Sequence, residues 1–123
     1  MNTYVLWQRI EGALAFAAGV AIFTQIESGL SWWAALLIFF APDLSFLAYG
    51  LGPRLGAIVY NSVHIYAFGL VVLAIGMFAA LPLLAALGAL WLAHSGFDRA
   101  LGYGLKSPTS FSETHLGSIG KNR

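Results

Sequence analysis

The sequence predicts an all-α polytopic membrane protein, a bundle of four transmembrane helices with both termini cytoplasmic. Three observations predict it. Of 123 residues, 59% are hydrophobic and only 9% are charged, with a mean hydropathy of +0.80; a soluble domain carries about 25% charged residues. The apolar residues fall into four stretches of spanning size, a crossing helix needing about 20 of them. The basic residues occur only in alternate connections. Arg9 precedes the first stretch, Arg54 separates the second from the third, and Arg99, Lys106, Lys121 and Arg123 end or follow the fourth. By the positive-inside rule, both termini and the 50–55 loop then lie in the cytoplasm.

The first span is expected over about 9–26, closed by the polar turn "ESGLS". Its small residues Gly12, Ala15 and Gly19 share a face and would allow close helix contact. The second, about 32–49, contains Pro42, which should kink or divide it. The third is expected over 55–78. The fourth, 81–101, begins beside Pro82, which suits a first helical turn. Trp32, Trp33, Tyr49 and Tyr103 lie at span ends, as an aromatic belt would. Together, residues 1–101 make one membrane domain. Residues 102–123 form a polar cytoplasmic tail, in which Ser110 to Glu113 has capping-box spacing; two readings fit it, a tail that folds back with a short helix carrying His115 and a disordered one.

Composition excludes several classes. With no cysteine there is neither a disulfide framework nor a thiolate metal site. A net charge of +1 from scattered Lys and Arg suits no nucleic-acid partner. The N-terminus lacks the charge order and cleavage site of a secretory signal and is expected to be retained. The expected location is the bacterial inner membrane, multi-pass, with lipid as the first partner. So short a chain is expected to form a homo-oligomer or join a larger membrane complex.

The ionisable residues of the spans collect in one layer. At 1.5 Å per residue, Asp43, His64 and His94 sit roughly 10–14 Å inside the cytoplasmic face. Glu11 starts the first span, and Asp98 lies one turn shallower than His94. Trp91, His94, Ser95 and Asp98 share a helix face, as do Tyr60, Asn61 and His64. A carboxylate at a helix centre in lipid costs about 2.5–3.5 kcal/mol, so these groups should face the bundle interior and each other.

Three readings fit such a layer. In the first, Asp43, His64, His94 and Asp98 bind a divalent metal, Zn or else Fe or Mn, with Asn61, Glu11 or His115 as supporting groups. In the second the layer is a proton or ion path. In the third it is structural, with Asp98 paired to Arg54 or to a neighbour's Arg99 and the histidines bonded to Tyr60, Asn61 or backbone. The metal reading leads to a metal-dependent hydrolase at the cytoplasmic leaflet. There Glu11 or His115 would be the general base, and Arg54, Arg99 or Lys106 would hold an anionic headgroup. Its rival is a non-enzymatic bundle, either a small transporter or an accessory subunit.

Two segments, "APDLSFLAYGLGPRLGAIVYNSVHIY" and "WLAHSGFDRALGYGLKSPTSFSETHLGSIG", carry the motifs PD, YNxxH, AHxGxDRxLGYGLK and THLG. They resemble a family of small bacterial four-helix integral membrane proteins classed as a domain of unknown function. The resemblance covers about 41–120 and implies a fold and a membrane location but no activity. A weaker likeness, to membrane-bound metal-dependent hydrolases, rests on "PD" at a span end and histidines near other span ends. The "LSF" after Asp43 departs from those enzymes' denser Asp and His clusters.

Overall fold

The structure is a computed structural model and describes residues 2–108 and 112–119. Five α-helices and one long 3₁₀ helix build it: α1 (Thr3–Thr24), α2 (Trp32–Phe40), the 3₁₀ helix (Ala41–Leu51), α3 (Pro53–His64), α4 (Tyr66–Phe78) and α5 (Pro82–Ala100). A small hairpin follows, β1 (Glu113–Thr114) antiparallel to β2 (Gly117–Ser118).

Helix starts follow local chemistry. The Asn2 side chain accepts from the Tyr4 N–H at 2.7 Å, so α1 begins well before the expected residue 9. Ser31 caps α2. The expected break at Pro42 occurs: α2 stops at Phe40 and the chain tightens into the 3₁₀ helix. Eleven residues is long for 3₁₀ geometry, whose hydrogen bonds are poorer than α-helical ones. Pro82 opens α5 at its first turn, as expected.

The third stretch departs from expectation. It is bent by 49° between α3 and α4, where Ile65 is extended (φ −82°, ψ 149°), and no Pro or Gly marks the break. α5 supports it from outside: Trp91 Nε1 donates to the Val63 carbonyl at 3.0 Å and Arg99 Nη2 to the His64 carbonyl at 3.0 Å. These are two of the four carbonyls that an ending helix leaves without partners.

Helix α5 is the core. It packs on α1 and α4, and also touches α2 and α3. Its Ala85, Ala86, Ala89, Ala93, His94 and Ser95 are all at most 1% exposed. Close approach to α1 depends on glycine: a Cβ on Gly12 would lie 2.6 Å from Arg99 Cβ and 2.7 Å from the Gly96 carbonyl. Arg9 Nε donates to the Ala100 carbonyl at 2.8 Å, bringing the start of α1 to the end of α5. There a cation complements the negative helix end.

By length and composition, two helical stretches could cross a membrane, Thr3–Thr24 and Trp32–Leu51, and a third if the bent pair counts as one span. Of the four expected spans, two or three thus qualify by length and composition. α5 falls short because protein, not lipid, surrounds it, which favours small and polar residues over large apolar ones. Large apolar side chains instead lie exposed on the outer helices, among them Leu14, Leu37, Leu47, Val71 and Met77.

The tail folds back on α3, but not as the expected short helix around His115. Residues there form the hairpin, with Gly117, at φ 116°, opening β2 after the turn. The capping box required Ser110, which lies outside the described residues. Backbone bonds from Ser107 N to the Glu113 carbonyl and from His115 N to the Leu105 carbonyl dock residues 105–107 along β1.

Candidate metal centre

Four side chains from three segments meet behind the hairpin. Asp43 comes from the 3₁₀ helix, His64 from the last residue of α3, and His94 and Asp98 from successive turns of α5. Their ligand atoms lie within 4.8 Å of one another. His94 Nε2 is 3.1 Å from Asp43 Oδ1, 3.2 Å from Asp98 Oδ2 and 3.2 Å from His64 Nε2. His64 Nε2 is 3.3 Å from Asp43 Oδ1 and 3.5 Å from Asp98 Oδ2. A tetrahedral ion with ligand bonds of 2.0–2.2 Å would space its ligands by about 3.3–3.6 Å.

Local structure aims each donor. The break after His64 lets its ring leave the helix axis, while Nδ1 donates to the Tyr60 carbonyl at 2.8 Å and the ring stacks on Tyr60 at 3.8 Å. With that proton on Nδ1, a neutral His64 presents its Nε2 lone pair to the centre. His94 is fully buried, with Phe39 and Phe40 edge-on at 5.4 and 6.4 Å. Its Nδ1 has no partner among the described residues.

Proton accounting favours a cation. Two carboxylates and the His64 lone pair are acceptors. His94 Nε2 can supply one proton among them, and the rest of their acceptor capacity is open to a cation, or to solvent on the exposed side of Asp43. A divalent ion would meet all four donors and balance two carboxylates.

Cationic groups surround the centre. Arg99, buried, is held by the His64 carbonyl and lies 5.4 Å over the Tyr66 ring. Lys106 is also buried, with Nζ 5.1 Å over the Tyr60 ring. Burial pushes its amine below the usual lysine range, opposed by the charges of Asp98 and Asp43. Asn61 anchors that residue's backbone, accepting from Lys106 N at 2.6 Å and donating to its carbonyl at 2.9 Å. A cavity of about 410 Å³ opens against the centre, lined by Asp43, Phe46, Tyr60, Asp98, Tyr103, Lys106 and Ile119.

All four expected ligands are thus brought together, while the two expected general bases stand apart. Glu11 is exposed on α1 and accepts from Gln8 at 3.2 Å. His115 Nδ1 accepts from Leu105 N at 2.8 Å, and its Nε2 lies 3.3 Å from Arg99 Nη1. Burial and the Arg99 charge hold its imidazole below the usual range. Asn61 ties down the tail instead of supporting a ligand, and Arg54 is exposed. Asp98 turns to the histidines, not to an arginine. The Tyr60 carbonyl partners His64, one of the bonds the shared helix face had suggested. Sequence reading missed Trp91 as a support of the break, a cross-helix relation visible only once α3 ends at His64.

The model of the family described as "Domain of unknown function (DUF4260)" matches residues 5–119. The chain belongs to the DUF4260 family. The match takes in α1 through the hairpin, hence all four clustered residues, and bears out the unknown-function family expected from the motifs. No curated protein and no solved structure matches this DUF4260 chain.

Proposed function

We propose that this chain is a metal-dependent hydrolase of the bacterial inner membrane, multi-pass with both termini cytoplasmic, working near the cytoplasmic leaflet. One observation carries the reading: four donors at ligand-like spacings, buried on one side and bordered by a cavity on the other. A purely structural site would be closed, whereas a catalytic one keeps an accessible side. Here the Asp43 side chain remains 47% exposed, against 0% for His94.

Asp43, His64, His94 and Asp98 would hold the ion, Zn or else Fe or Mn. When bound, such an ion lowers the pKa of water to about 7 and polarises the substrate. The residues supply the rest. The Tyr60 carbonyl keeps the His64 lone pair inward, Phe39 and Phe40 exclude water behind His94, and the cavity sets where a substrate meets the centre. Exposed apolar faces on the outer helices and the absence of basic residues from the 25–31 and 79–82 connections support the membrane placement.

Elemental analysis of protein purified without a metal-affinity step tests the reading. Near-stoichiometric metal is expected in the parent and loss to background in His94→Gln and Asp43→Asn, both still helical. Folded parent protein that takes up no Zn, Fe or Mn on reconstitution would overturn it and leave the layer a structural network.

A further inference from the structure

The metal-centre reading, on which this inference rests, leaves open which substrate the adjoining cavity admits. We infer that it takes the phosphoryl head of an anionic amphiphile, and that Lys106 is the specificity residue that selects it. Three observations converge.

The first is charge. Two aspartates line the cavity and belong to the centre. A divalent ion offsets both, and Lys106 on the same wall makes the enclosure net positive. Of the three cations considered for an anionic group, Lys106 alone lines the cavity; Arg54 and Arg99 do not. A phosphoryl group presents several anionic oxygens and can meet a metal and an ammonium together. A carboxylate has only two oxygens for the same task.

The second is size and surface. About 410 Å³ holds a headgroup, not the chains of a lipid. Phe46 lines the cavity while being 48% exposed, and it continues onto the outer surface of the 3₁₀ helix, where Leu44 and Leu47 are exposed at 63% and 67%. That surface offers the apolar tail a path in the lipid beside the site.

The third is positioning. Lys106 is held through its backbone by the two Asn61 bonds and an isolated bridge to Thr114. Its side chain is therefore placed by the fold, and substituting it leaves those backbone bonds intact.

The test uses full-length, metal-loaded protein in detergent, with metal content read on every sample. Dioctanoyl phosphatidic acid, inorganic phosphate and dioctanoylglycerol are titrated against the parent, Lys106→Met and Lys106→Arg. Phosphatidic acid is expected to bind at least tenfold more tightly than phosphate or the neutral diacylglycerol. Lys106→Met should weaken it tenfold or more at unchanged metal content, and Lys106→Arg should recover most of the loss. Equal binding by Lys106→Met with metal retained would overturn the role of Lys106. Inorganic phosphate binding as tightly as the amphiphile would keep the phosphoryl site but overturn a lipid source. Absence of metal from the parent would instead bring down the centre, and this inference with it.

Discussion

His115 shows how one side chain can be chemically suited to a task and yet be used for another. Its two ring nitrogens both face N–H donors, Leu105 N and Arg99 Nη1. An imidazolium would set N–H against N–H on both sides, so the neutral form is favoured, in line with its lowered pKa. Because the folded value lies below the unfolded one, its contribution to tail docking is present above about pH 6.5 and is lost as pH falls through the lowered value. Hydrogen exchange at the Leu105 amide, corrected for intrinsic rate, should quicken as pH drops from 7.5 to 5. His115→Gln should flatten that dependence; a parent whose protection ignores pH would reject the account. His94 and His64, by contrast, were legible as members of one polar layer, because ionisable side chains on otherwise apolar helices are expected to face the interior and each other.

At the scale of elements, the break between α3 and α4 decides the site. Apolar periodicity runs through Ile65 without interruption, so the sequence reads as one span. The helix nevertheless ends at His64, because α5 supplies donors for its last carbonyls. Trp91→Phe keeps the aromatic bulk but leaves the Val63 carbonyl without its donor. An unsatisfied buried acceptor costs about 1–3 kcal/mol; this carbonyl is part-buried, so unfolding in detergent should show a loss at the low end of that range. Metal affinity should fall as well, since the bend aims His64; unchanged stability and affinity would mean that α5 does not hold the break. Pro42, in contrast, acts locally. Its missing N–H and ring clash end α2 wherever the chain is placed, so that break was readable in advance.

For the whole molecule, the organising fact is a central helix enclosed by others that expose large apolar residues. α5 can carry His94, Ser95, Asp98 and Arg99 because protein solvates them, and for the same reason it lacks the hydropathy of a lipid-facing span. Four crossings with cytoplasmic ends would put Gly50 and Ser28 on opposite sides of the bilayer. The chain has no native cysteine, so each introduced thiol is unique. Gly50→Cys in spheroplasts should resist an impermeant maleimide until the membrane is opened, while Ser28→Cys should label at once. Labelling of both from the outside would exclude this topology.

Composition, the Pro42 break, the Pro82 start, the small-residue face of α1 and the identity of four clustered donors were all set by the sequence itself. Each depends on properties a residue carries with it: ring closure, side-chain volume, charge and its aversion to lipid. What tertiary structure alone decided was the bend at Ile65, the hairpin in place of a helix, the separation of Glu11 and His115 from the centre, and the burial of Lys106 beside it. Those features depend on which distant groups satisfy a carbonyl or an amide. Such pairings, between Val63 and Trp91 or Asn61 and Lys106, leave no periodic trace along the chain.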